Sequence, residues 1–238
     1  MSKTEREHCQ DIVEIGRIMW QKGWVAAQDG NISIRLDDDR ILCTPTGVCK
    51  GLMKPEDLIV CDAAGTKIEG ASGCTTEIAM HVAIYRLRPD VRSVLHAHPP
   101  FATGFAVAGR ALNQALLPEA IMHLGTVPVA AYGLPGTAAL TEPMLPLIPN
   151  HDALLMANHG AVAYGQDVYQ AFFHMETVEH LAHVTLVAEL LGGAKALPRA
   201  EVAKLLAARA RYGIPTRAGL APDVPLAAED IPDPDVPF

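Results

Sequence analysis

The chain has 238 residues, half of them hydrophobic but only 5% aromatic and 19% charged, with 27 acidic against 19 basic side chains. That length and composition suit a single core built from Ala, Val, Leu and Ile, as in a layered α/β protein. The formal charge of -8 argues against nucleic acid or an anionic membrane as partner, and no apolar run is long enough to span a bilayer.

Residues 4–22 carry Ile12, Ile15 and Met19 at helical spacing and end at Gly23, so the chain is expected to open on a helix. The first residues are charged and contain no apolar signal region, which predicts a cytoplasmic protein. Asp29-Gly30-Asn31 reads as a tight turn, and 32–36 with 41–44 as a hairpin around the charged turn 37–40. Thr44-Pro45-Thr46-Gly47 forms a second turn rich in hydroxyls, followed by a short helical start at Lys54 and a strand over 58–61. Ala71 to Glu77 leads into a helix over 78–87, where Thr75 or Thr76 is placed to cap and the first-turn N–H groups form an anion site.

The strand predicted over 91–95 ends in His96-Ala97-His98-Pro99-Pro100. Two histidines two residues apart leave one face of a strand, as metal ligands do, although one packed and one solvated histidine fit the same spacing equally well, and the prolines stop further ladder pairing. A small-residue helix over 100–108, a strand over 127–131 and a helix over 136–147 follow. The buried strand 153–156 delivers a third histidine in the turn Asn158-His159-Gly160, before a strand over 161–164. A long helix over 167–191 and another over 199–211 lead to Tyr212-Gly213, and the proline-rich, acidic segment 214–238 reads as an irregular or disordered tail. Glu176, His180 and His183 share a helix face and make a competing ligand set, although such spacing more often marks contact with a neighbouring element. His8, His81, His123, His151 and His174 have no partner at informative spacing. Cys9, Cys43, Cys49, Cys61 and Cys74 include no Cys-x-x-Cys pair, so reduced thiols without a cysteine metal site are expected.

In order and spacing, Gly30-Asn31-Ile32-Ser33, Thr44-Pro45-Thr46-Gly47, Thr75-Thr76-Glu77, His96-Ala97-His98 and Asn158-His159-Gly160 resemble the class II aldolase/adducin family over about residues 5–213. The resemblance implies one three-layer α/β/α sandwich around a largely antiparallel sheet, with active sites between the subunits of a homotetramer. It implies that His96, His98 and His159 bind zinc, or alternatively manganese or cobalt, and that Glu77 approaches the metal and becomes the catalytic base. Gly30, Asn31, Thr46, Gly47, Thr75 and Thr76 correspond to the family's phosphate loops of neutral donors, and Tyr212 to a C-terminal tyrosine that reaches a neighbouring subunit's site. The implied reaction is cleavage of a small phosphorylated ketose to dihydroxyacetone phosphate and an aldehyde. Decarboxylation of a 3-oxo acid is the alternative, because the segment 116–122 lacks the tyrosine of fuculose-phosphate aldolases and carries Pro118-Glu119. Family epimerases resemble one another in having aspartate where Glu77 stands, and adducin-type interaction heads lack the zinc histidines that this chain retains.

Overall fold

The computed structural model describes residues 3–214. Most of the predicted tail therefore lies outside the described residues. Helix α1 (Glu5–Gln21) starts at a reciprocal cap, in which Thr4 Oγ1 accepts from the Glu7 N–H and the Glu7 carboxylate accepts from the Thr4 N–H. Strands β1 (Asn31–Arg35), β2 (Arg40–Cys43), β3 (Ile59–Asp62) and β4 (Lys67–Glu69) form an antiparallel meander. Helix α2 (Ile78–Leu87) leads to β5 (Ser93–Ala97), α3 (Pro100–Val107), α4 (Pro118–His123), β6 (Val129–Ala130) and α5 (Ala138–Thr141). After β7 (Ala153–Met156) and β8 (Gly160–Gly165) come the long α6 (Val168–Leu190) and α7 (Arg199–Tyr212).

The strands make one eight-stranded sheet in the order β4-β3-β2-β1-β5-β8-β7-β6, antiparallel except where β6 meets β7. Successive side chains point to opposite faces, and each face buries its own core. Ile32, Ile34, Leu95, Ala161 and Ala163 pack with residues of α1, α3 and α6, whereas Val94, Val162 and Tyr164 pack with residues of α2 and α5. The result is the expected α/β/α sandwich with a largely antiparallel sheet.

Several local expectations are corrected. The helix predicted over 136–147 contracts to α5 followed by two 3-10 turns, Glu142–Met144 and Ile148–Asn150. Pro143, Pro146 and Pro149 recur every three residues there and remove the N–H groups an α-helix needs. The strand expected over 127–131 is only two residues long, and β4 and α4 form where no strand or helix is expected from the sequence. Neither Thr75 nor Thr76 caps α2. Glu77 occupies the cap position without a side-chain cap bond, and Thr75 Oγ1 accepts from the Glu77 N–H at 3.4 Å. The five cysteines are free thiols, yet Cys43, Cys61 and Cys74 cluster with their sulfurs within 4.8 Å. Pairing of β2 with β3 and a bridge between Pro45 and Cys74 bring them together.

Candidate active site

Asn31 on β1 sits opposite His96 on β5, and the pairing of β5 with β8 sets His96 opposite Val162. His96 points to the α2 side of the sheet, and His98 follows just beyond the strand's end. His159 arrives from the turn between β7 and β8, where Asn158 takes a positive φ of 56°. Gly160 makes that approach fit, since a Cβ there would stand 2.5 Å from His98 Cδ2. Gly30 is equally constrained: its φ is 71°, and a Cβ would lie 2.5 Å from Val25 Cγ1 and 2.8 Å from the His96 carbonyl oxygen.

The ligand atoms of His96, His98 and His159 lie within 4.8 Å of one another. His96 Nδ1 donates to the Ala161 carbonyl at 2.9 Å, which leaves its Nε2 as a bare lone pair. That lone pair faces His98 Nε2 at 3.1 Å and Glu77 Oε2 at 3.3 Å, while Glu77 Oε1 stands 3.3 Å from His159 Nε2. His159 Nδ1 is buried without a hydrogen-bond partner. Burial pushes the His96 imidazole well below its ordinary pKa, and burial also lowers that of His159. Neutral imidazoles converging on one carboxylate form a donor set that fits a divalent cation with an open coordination position. Asp29 Oδ2 lies 3.4 Å from His98 Nδ1, where it can orient that ring from behind.

The histidines, Glu77, Gly30, Asn31, Thr46, Gly47, Thr75 and Thr76 line one cleft of about 170 Å³. Pockets for drug-sized ligands run to about 300–1,000 Å³, so this one suits a molecule of few atoms. The Thr46 N–H donates to the Gly73 carbonyl at 3.1 Å and draws two of the predicted phosphate loops together. Lys50, which no motif in the sequence marks, also lines the cleft and corrects the picture of a wholly neutral pocket. Its ammonium donates to the carbonyls of Gln28 at 2.8 Å and Val48 at 2.7 Å, and burial pushes its pKa down to about 8.

The other candidates part company with this site. Tyr212 is 62% exposed, accepts a hydrogen bond from Arg211 and does not line the cleft. Glu176 pairs with Lys22 at 2.8 Å, exposed His183 stacks on Phe101, His180 is also exposed, and the three do not bring ligand atoms together as the histidines of the cleft do. His81, which has no partner at informative spacing in the sequence, is a buried histidine hydrogen-bonded to Asn31 and Ser33.

The family model for the class II aldolase and adducin N-terminal domain matches residues 10–186. The chain belongs to this family. It is 32% identical over 188 residues to a 3-oxo-tetronate 4-phosphate decarboxylase of Pectobacterium atrosepticum, covering 77% of this chain and 86% of that one. It is 35% identical over 193 residues to a methylthioribulose-1-phosphate dehydratase of Methylococcus capsulatus, covering 76% and 94%. The structure of L-fuculose-1-phosphate aldolase from Thermus thermophilus superposes with a TM-score of 0.70 at 30% identity, covering 82% of this chain and all of that one. The family thus holds lyases of several kinds, and no helix among the described residues is long and apolar enough to cross a membrane.

Proposed function

We propose that the chain is a metal-dependent lyase that breaks a carbon–carbon bond beside the carbonyl of a small phosphorylated substrate. One observation carries this reading: the Glu77 carboxylate lies 3.3 Å from two histidine nitrogens in the cleft that the candidate phosphate loops also line. His96, His98 and His159 would hold the cation, zinc being the best match to three neutral imidazoles. When bound, the ion supplies Lewis-acid polarisation of the substrate's carbonyl oxygen. Thr46, Thr75 and Thr76, the backbone of Gly30 and Gly47, and the Lys50 charge would receive the phosphate. Glu77 would move the proton, and Tyr212 would reach the site of a neighbouring copy in a homotetramer.

Aldol cleavage of a phosphorylated ketose is the first reading, because it calls for a base at Glu77. The closing test needs no knowledge of the aldehyde. Dihydroxyacetone phosphate in deuterated water should exchange a carbon-bound hydrogen with wild-type protein, and Glu77→Gln should lose on the order of a hundredfold while keeping its metal. Equal exchange by the two proteins would remove Glu77 as the base. Decarboxylation of a phosphorylated 3-oxo acid is the second reading, favoured by the segment 116–122, which lacks a tyrosine, and by likeness to the decarboxylase above. Carbon dioxide release without an aldehyde would establish it in place of the first. Less than about half an equivalent of divalent metal, with no gain on reconstitution, would overturn both.

A further inference from the structure

Behind Glu77 a line of polar side chains runs into the interior. Asn31 Nδ2 donates to Glu77 Oε2 at 2.8 Å, and Asn31 Oδ1 lies 2.5 Å from His81 Nε2. His81 Nδ1 is 2.7 Å from Ser33 Oγ, which is 2.7 Å from the Tyr85 hydroxyl. All five residues are buried. Register explains the alignment: Asn31 and Ser33 alternate onto the α2 face of β1, while His81 and Tyr85 are one turn apart on α2.

The line has a single polarity. A carboxylate accepts and cannot donate, so the Asn31 amide must turn its NH₂ to Glu77 and its oxygen to His81. His81 Nε2 must then carry a proton. Burial pushes the His81 pKa down to about 3, so the ring is neutral and Nδ1 accepts from Ser33, which in turn accepts from Tyr85. With the proton on Nδ1 instead, the amide would reverse and present its oxygen to the carboxylate.

We propose that His81 is a positioning residue which, by fixing the amide of Asn31, sets the rotation and reach of the Glu77 carboxylate in the cleft. The inference rests on the proposed role of Glu77 as base, so its test has an arm independent of turnover. Nitrogen NMR of ring-labelled protein, with His81 assigned by its disappearance in His81→Gln, should show the proton on Nε2 and none on Nδ1. The Nδ1–H tautomer would overturn the proposal whether or not the enzyme turns over, and even if no other variant folds.

The second arm uses hydrogen exchange into dihydroxyacetone phosphate. His81→Leu, with metal content unchanged, should lose about tenfold or more in kcat with KM within about twofold, since a misplaced base harms the transition state more than binding. His81→Gln keeps an N–H at the position of Nε2 and should restore most of the rate. A folded, metal-loaded His81→Leu protein with wild-type kcat would sink the inference. If wild type gives no exchange while the Nε2–H tautomer is found, the aldolase reading falls and the positioning contact stands.

Discussion

Burying His81 as a neutral ring has a consequence for acid stability. The unfolded imidazole takes up a proton near pH 6.5, the folded one only near 3, so the unfolded state binds more protons between these values. The His81 contribution is therefore complete above about pH 6.5 and is lost as pH falls toward 3. His81→Gln carries no such group. The stability gap between wild type and this variant should shrink by about 2 kcal/mol on going from pH 7 to pH 5, measured by urea unfolding. His96 and His159 shift in the same direction, but they are common to both proteins and cancel in the comparison. Parallel stability curves would mean that the His81 ring is not held neutral.

Among the elements, α3 depends on a residue far along the chain. It begins directly after His98-Pro99 with no side-chain cap of its own, and the Glu179 carboxylate on α6 accepts from the N–H groups of Phe101 at 3.1 Å and Ala102 at 2.8 Å. Glu179→Ala leaves those donors unpaired at a buried helix start, and thermal unfolding should show a loss of about 1–3 kcal/mol. Gly30→Ala should cost more than about 1 kcal/mol and lower metal content with it, because the strained φ and the His96 carbonyl both oppose a Cβ. These dependences also show where sequence reading stops. Strands β1, β5 and β8 were legible to within two residues because apolar, β-branched runs are local signals, the strand expected over 91–95 lying at Ser93–Ala97, and His96, His98 and His159 were legible at or beside strand ends. The three exposed residues of β4 carry no such pattern, and the proline triplet after α5 was masked by helically spaced Leu140, Met144 and Leu147. Lys50 and His81 gain their meaning from Gln28 and Asn31, which lie too far away in sequence for any periodicity to report.

For the molecule as a whole, Tyr212 is, on the proposed reading, the residue that ties chemistry to assembly. It is exposed at the end of α7, and Leu190 and Leu191 at the end of α6 are 78% and 83% exposed. If copies share sites, Tyr212→Phe should lower kcat more than it raises KM. Sedimentation should then give a tetramer, and co-refolding inactive Glu77→Gln with impaired Tyr212→Phe subunits should recover activity above the sum of the two. No recovery in a verified mixed assembly would remove Tyr212 from the neighbouring site.

The placement of β5 between β1 and β8 bears on the lifetime of the fold as well as its chemistry. Glu77, His96 and His159 meet only after strands distant in sequence have closed on both edges of β5, so a half-formed sheet offers a cation little to grip. We expect contacts made that late to be missing from the folding transition state, so that strengthening them slows escape from the native basin rather than entry into it. Saturating divalent metal should therefore lengthen the unfolding half-life in stopped-flow or protease-challenge measurements and leave the refolding rate nearly untouched. The cation would act as a latch on a door that the chain has already shut.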